Sequence, residues 1–260
     1  MHDVKTGADI RYLFHSGFAV ETPRHLLIFD YWRDEPDSGG RGLAAGVVEP
    51  AEIADRDVVV CVSHRHSDHY NPVIFTWRSR VPKIRYVLPP DVRPPEGVPG
   101  VLATRAGESY DGGDFTVRTL RSTDEGVAYA MEIDGLRIFY AGDLNWWHWE
   151  GEPDADNRRM GEDFRREIDR LEGQSFDLAF FPLDPRLETQ YAWGFDYFMR
   201  HTRTAMVFPM HLWEKYDTCG RLLRDEISAP YRSRVQTVTH RGQLFHYEPA
   251  NGGNGVPQKD

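Results

Sequence analysis

The chain has 260 residues, 40% of them apolar and 13% aromatic, enough to bury a sizeable core in one large domain or two small ones. Its net charge is −10, from 31 basic and 41 acidic residues, so it lacks the basic face that a nucleic acid or an anionic membrane requires, although a local arginine cluster could still hold a small phosphorylated substrate. Two cysteines, Cys61 and Cys219, provide no disulfide framework, the first residues have no apolar signal-peptide core, and no run reaches membrane-spanning length. These features predict a reduced, cytoplasmic protein with a small-molecule substrate and no nucleic-acid or membrane partner, and they leave homo-oligomer formation open.

Residues 10–14, 18–20 and 26–29 read as strands separated by the turn signals Ser16-Gly17 and Pro23-Arg24-His25, an antiparallel meander ending at Asp30. Residues 32–50 read as a long loop, and residues 58–62 as a buried strand. The spacing then predicts a short helix over 71–80, with Asn71 as cap and Pro72 in the first turn. Strands follow at 84–88 and 115–120, and residues 127–133 and 136–140 form a hairpin about Asp134-Gly135. Asp156 is placed to cap a helix carrying Met160, Phe164, Ile168 and Leu171 on one face, up to Gly173. A strand at 176–181, a helix with an aromatic face at 191–200 and a strand at 204–208 come next. A helix at 221–227 and strands at 235–239 and 243–247 close a single domain of residues 1–248, and residues 249–260 have flexible-linker composition. This order predicts an α+β protein with two sheets packed face to face and helices outside.

The chemistry gathers in Ser63-His64-Arg65-His66-Ser67-Asp68-His69-Tyr70, directly after the strand at 58–62. Imidazole and carboxylate are ligands that zinc, manganese and iron(II) favour. Two more strand ends carry ligand-type residues: Ala141-Gly142-Asp143 and Pro209-Met210-His211.

These residues resemble the metallo-β-lactamase superfamily, whose pattern is H-x-H-x-D-H, then a third histidine, a bridging aspartate and a final histidine, all at strand ends. The resemblance covers residues 8–248, and His15-Ser16-Gly17 looks like the start of its lactonase-like branch. It implies an αββα four-layer sandwich of two mainly antiparallel or mixed sheets, with one or two divalent metal ions at one edge, zinc first and manganese or iron as alternatives. Carried over, His64 and His66 hold the first metal, Asp68, His69 and His211 the second, and Asp143 bridges both in a dinuclear centre. The implied activity is attack by a metal-bound hydroxide on an ester, lactone or phosphodiester of a small cytosolic molecule. A non-catalytic metal-binding or ligand-sensing protein on the same fold is the alternative.

One departure stands out. No histidine occurs from residue 71 to 142, and spacing puts Ser122 where the third histidine belongs. Asp124, Glu125 and His148 are the candidate replacement ligands. Among the remaining residues, Asp68 and His15 are catalytic candidates, His15 also as a support behind the site, and Asp30 is placed to orient a ligand histidine. Trp146, Trp147, His148 and Trp149 are candidate pocket wall. Arg186 is a candidate clamp for a carboxylate or phosphate, or else the partner of a nearby carboxylate.

Overall fold

A computed structural model describes residues 7–37 and 39–249. In chain order the regular elements are β1 (Ala8–Phe14), β2 (Gly17–Glu21), β3 (His25–Phe29), β4 (Asp57–Cys61), β5 (Ile84–Leu88), β6 (Val101–Ala103), β7 (Ser109–Asp111), β8 (Phe115–Arg121), β9 (Val127–Ile133), β10 (Leu136–Tyr140), α1 (Asp154–Asp169), β11 (Ser175–Pro182), α2 (Trp193–His201), β12 (Arg203–Met210), α3 (Asp217–Arg224) and β13 (Leu244–Tyr247). One sheet runs β13-β1-β2-β3-β4-β5-β6, and the other runs β12-β11-β10-β9-β8-β7.

Both sheets are mixed. β1, β2 and β3 form the antiparallel meander, and β3, β4, β5 and β6 continue in parallel. In the second sheet β7 to β10 are antiparallel, and β10, β11 and β12 are parallel. β4 lies between two parallel neighbours and is covered on both faces, which is why it reads as an unbroken valine run. β8 begins in strict alternation, Phe115 and Val117 inside and Thr116 outside, as an antiparallel strand with one wet face should.

The inner faces meet through aromatic rings, Phe29 on Tyr140 at 4.6 Å and Phe18 on Phe180 at 4.6 Å between centroids. α1 and α2 cover the outside of the second sheet, where Phe181 packs on Phe164 and Phe198. The outside of the first sheet is covered by Ile53 and by the segment Pro72–Ser79, which brings Ile74 and Trp77 against Ile28, Val58 and Val60. The result is the expected sandwich of two mixed sheets flanked by helices.

Several boundaries differ from the sequence reading. Residues 72–79 form a 3-10 helix, not an α-helix: the segment is too short to nucleate alone and is rich in β-branched and aromatic residues, although Asn71 does cap it through Val73 N. α1 starts at Asp154, ahead of the expected cap Asp156. α3 ends at Arg224 because Asp225 leaves the helix and caps a separate 3-10 turn, Glu226–Ser228. The strand expected at 235–239 reduces to one bridge, Val207 with Val235. β6 and β7, three residues each with none of them buried, are too short to show a period. The linker-like residues 250–260 lie outside the described residues. Among the described residues no helix is long and apolar enough to cross a membrane.

Candidate metal centre

The parallel strands bring their C-terminal ends to one edge. β4 delivers the loop of His64, His66, Asp68 and His69; β10 delivers Asp143; β12 delivers His211; and the β1–β2 turn delivers His15. Two glycines allow the second sheet's loops to close on the β4 end. Gly126 has φ 71°, and a Cβ there would lie 1.9 Å from the Ser63 carbonyl oxygen, which accepts the Val127 amide at 3.0 Å. Gly142 has φ 53°, and its Cβ would lie 2.6 Å from Ser63 Cβ. Any side chain at either place would push the two halves of the site apart.

Two groups of ligand atoms result. In the first, His64 Nε2 lies 3.0 Å from His66 Nδ1 and 3.5 Å from Asp143 Oδ2. In the second, Asp143 Oδ1 faces His69 Nε2 at 3.2 Å and His211 Nε2 at 3.5 Å. Asp68 Oδ2 closes that group, 3.5 Å from His15 Nε2 and 3.9 Å from His211 Nε2. The two oxygens of Asp143 thus serve one group each.

Fixed tautomers aim the imidazoles inward. Asp30 and Asp184 are carboxylates and can only accept, so His69 Nδ1 donates to Asp30 Oδ2 at 2.6 Å and His211 Nδ1 donates to Asp184 Oδ2 at 2.8 Å. The Ser63 hydroxyl donates to Asp30 and accepts from His64 Nδ1 at 2.9 Å. Each of these three rings therefore presents Nε2, with a free lone pair, to the centre. The buried atoms His15 Nε2, His69 Nε2, His211 Nε2 and Asp143 Oδ1 have no hydrogen-bond partner. Converging buried acceptors without donors are unfavourable unless a cation or protons lie between them, and the nitrogen–oxygen set suits a borderline divalent ion. A metal ion fits these residues.

The electrostatics agree. Burial disfavours a charged His69, but Asp143 and Asp30 on either side outweigh it and hold the ring's pKa well above the ordinary value. Burial would raise Asp143, yet His69, His211 and His64 hold it well below the usual carboxylate range. Asp68 is likewise lowered against its burial by its contact with His15 and by His69 and His211. His64 and His15 are pushed down to about 4 and about 3, chiefly by burial. The carboxylates on either side of His69 therefore favour positive charge at this spot, the place a divalent cation would take.

A cavity of about 220 Å³ opens on the groups, lined by His66, Asp68, Asp143 and His211 together with Asp124, Thr123, Met160, Trp147, Trp149 and Arg186. Of the predicted wall, Trp147 is there, but Trp146 and His148 are not. They turn to the opposite side, where Trp146 packs on Phe164 and Trp193 and His148 packs on Trp193. His148 therefore cannot replace the missing ligand. Trp149 lines the cavity too, parallel to Trp147 within 2°. Arg186 reaches the cavity rim while holding Asp184 through Nε and Nη2 at 2.5–3.0 Å. Ser122 is buried and accepts the Asp124 amide with its hydroxyl, a turn role and not a ligand role. Asp124 Oδ2 lies 3.9 Å from the inward Nδ1 of His66, whereas Glu125 Oε2 lies 3.5 Å from the outward Nε2 and also pairs with Arg65. The sequence reading had not singled out Ser63, Tyr140 or Asp184 as site residues. Asp184, a carboxylate just past the end of β11, carried the one readable signal.

The model of the beta-lactamase superfamily domain matches residues 9–150, more than half of the chain. No curated protein matches the sequence. Among solved structures, the chain is similar to Igni18, a metallo hydrolase from the archaeon Ignicoccus hospitalis, at 15% identity and TM-score 0.61, covering 94% of this chain and 100% of that one. It is also similar to the metallo-beta-lactamase fold protein YhfI from Bacillus subtilis, at 12% identity and TM-score 0.55, covering 93% and 100%. CmlA, a diiron beta-hydroxylase from Streptomyces venezuelae, matches at 11% identity and TM-score 0.54 over 93% of this chain and 54% of CmlA. The chain belongs to the beta-lactamase superfamily, with the fold of its metal-dependent hydrolases.

Proposed function

We propose that the chain hydrolyses an ester, lactone or phosphodiester bond in a small molecule, using divalent metal ions held by two ligand groups. The observation that carries this reading is the convergence of unpartnered buried Nε2 and carboxylate atoms beside the cavity that Asp68 and His211 line. Divalent ions bound there would lower the pKa of water and neutralise charge developing on oxygen. The chain's own residues do the rest. Asp68, kept ionised by His15, His69 and His211, lines the cavity and can accept a proton at Oδ1, the oxygen not turned to His15 and His211. Trp147 and Trp149 offer a flat apolar wall to an acyl or ring group, and Arg186 a positive rim to a carboxylate or phosphate. About 220 Å³ limits the bound part to a small molecule.

The first group is completed by Asp124, which sits on the inward side of His66 and lines the cavity. An oxygen there in place of a nitrogen favours a harder ion such as manganese or iron, while the second group suits zinc. A panel of chromogenic esters, lactones and bis-phosphodiesters with added zinc or manganese tests the proposal. Metal-dependent turnover that vanishes in Asp68→Ala supports it. Tight metal binding with no turnover across the panel would favour the non-catalytic sensing role instead.

A further inference from the structure

His15 sits in the turn between β1 and β2 with φ 55°, a left-handed backbone that side-chain-bearing residues enter at a cost. The turn is tied down at both ends. His15 N donates to the Tyr12 hydroxyl at 2.7 Å, and His15 O accepts the His211 amide at 3.2 Å. The ring is fully buried, yet neither of its nitrogens has a hydrogen-bond partner. A histidine serving only the core would satisfy at least one of them. A histidine contacting substrate would line the cavity, and His15 does not; its ring is packed against His211 at 4.1 Å and Trp213 at 4.3 Å. What His15 does share is a centre: ligand atoms of His15, Asp68, His69 and His211 all lie within 4.8 Å of one another.

We propose that His15 is a direct ligand of the second group, so that three imidazoles (His15, His69 and His211) meet there against two (His64 and His66) in the first. The nitrogen missing at Ser122 is thus matched by an additional one across the site. The left-handed turn is what brings it in, because its carbonyl is bonded to the backbone of His211 itself. The two groups then differ in kind. The second binds a nitrogen-preferring ion first and tightly, and the first fills later and more weakly.

The inference rests on reading the site as a metal centre, so it is tested by metal binding alone, without substrate. Metal-free protein titrated with cobalt(II) should take one equivalent tightly and a second weakly. Asparagine enters left-handed backbone readily, so His15→Asn keeps the turn. It should weaken the tight equivalent by more than ~100-fold, beyond the loss seen when only a supporting hydrogen-bond partner is removed, and change its visible spectrum. The weak equivalent should change by less than about threefold. If affinity and spectrum are unchanged in the variant, His15 is not a ligand, and the metal centre stands without it. If the wild-type protein binds no cobalt, both readings fall. X-ray absorption of wild-type protein with one equivalent of zinc counts imidazoles without any substitution: three support the inference and two overturn it.

Discussion

Asp30 is the hidden support of the site, and replacing it by asparagine measures how much the centre depends on that support. Its carboxylate, fully buried, accepts the Ser63 amide at 2.7 Å, the Ser63 hydroxyl at 2.5 Å, His69 Nδ1 at 2.6 Å and the Tyr140 hydroxyl at 2.7 Å. Its φ of 39° suits asparagine, so the substitution leaves the backbone alone and changes only the acceptor. With the amide oxygen facing the three Oδ2 donors, the NH2 group confronts the Ser63 N–H, and that unpaired donor costs about 1–3 kcal/mol. The three remaining bonds lose their charge assistance, about 1 kcal/mol each. Removing a buried charge offsets part of this, leaving an expected net loss of at least ~2 kcal/mol. Urea unfolding of metal-free protein reads that loss directly. His69 also loses the anion that fixes its tautomer, so metal affinity should fall about 10–100-fold. A stability change under ~0.5 kcal/mol with metal affinity intact would refute the role given to Asp30.

Protein purified without added metal should carry close to one tightly held ion per chain. Mass-spectrometric metal analysis showing two tight zinc ions would refute the inequality of the two groups. Gly126→Ala puts a Cβ 1.9 Å from the Ser63 oxygen at φ 71°, whereas Gly151→Ala, at φ 90°, meets nothing within 4 Å. The first should cost at least ~2 kcal/mol more than the second, a Tm gap of roughly 4–8 °C by calorimetry, and equal Tm values would contradict the close packing at Ser63. Asp134 gives the pH prediction. Burial raises its carboxyl, but Thr22, His25 and Arg24 outweigh burial and hold it below the ordinary value. A depressed folded pKa adds stability that is present above about pH 4 and is lost as pH falls through the folded value. Asp134→Asn keeps the left-handed turn residue and should flatten the acid limb of stability against pH; an unchanged limb would refute it.

Most of both groups was legible because their residues are close in sequence or sit at the ends of plain apolar strands. His64, His66, Asp68 and His69 share one loop, and Asp143 and His211 each follow a strand whose direction is fixed by burial on both faces. What escaped lies where the chain leaves regular structure. Between Asp143 and α1 no period says which tryptophan faces in, so Trp146 was expected in the wall. Instead it packs close to Gly161 of α1, where a Cβ would lie 2.7 Å from its Nε1. Asp124 and Glu125 are neighbours in a turn, and only the folded turn decides which of them meets the inward nitrogen of His66. Asp30 was legible as the support of a ligand histidine, which is His69, whereas Asp184 read only as a carboxylate after a strand because its partner His211 is distant in sequence.

The origin of the ligands has a mechanical consequence. His15, Asp30 and the His64–His69 loop belong to the first sheet, while Asp143, Asp184 and His211 belong to the second. Any ion held among them joins the two halves of the sandwich at an edge where the protein alone places unpaired acceptors opposite one another. Binding at a concentration 100 times Kd would add about 2.7 kcal/mol to the folded state, provided that the unfolded chain does not bind. That energy acts between the sheets, not within either one. A chelator should therefore loosen this edge before the strand ladders, with amide exchange rising first at Ser63, Val127 and His211. The same ion would act as catalyst and as the fastener that keeps the layers in register.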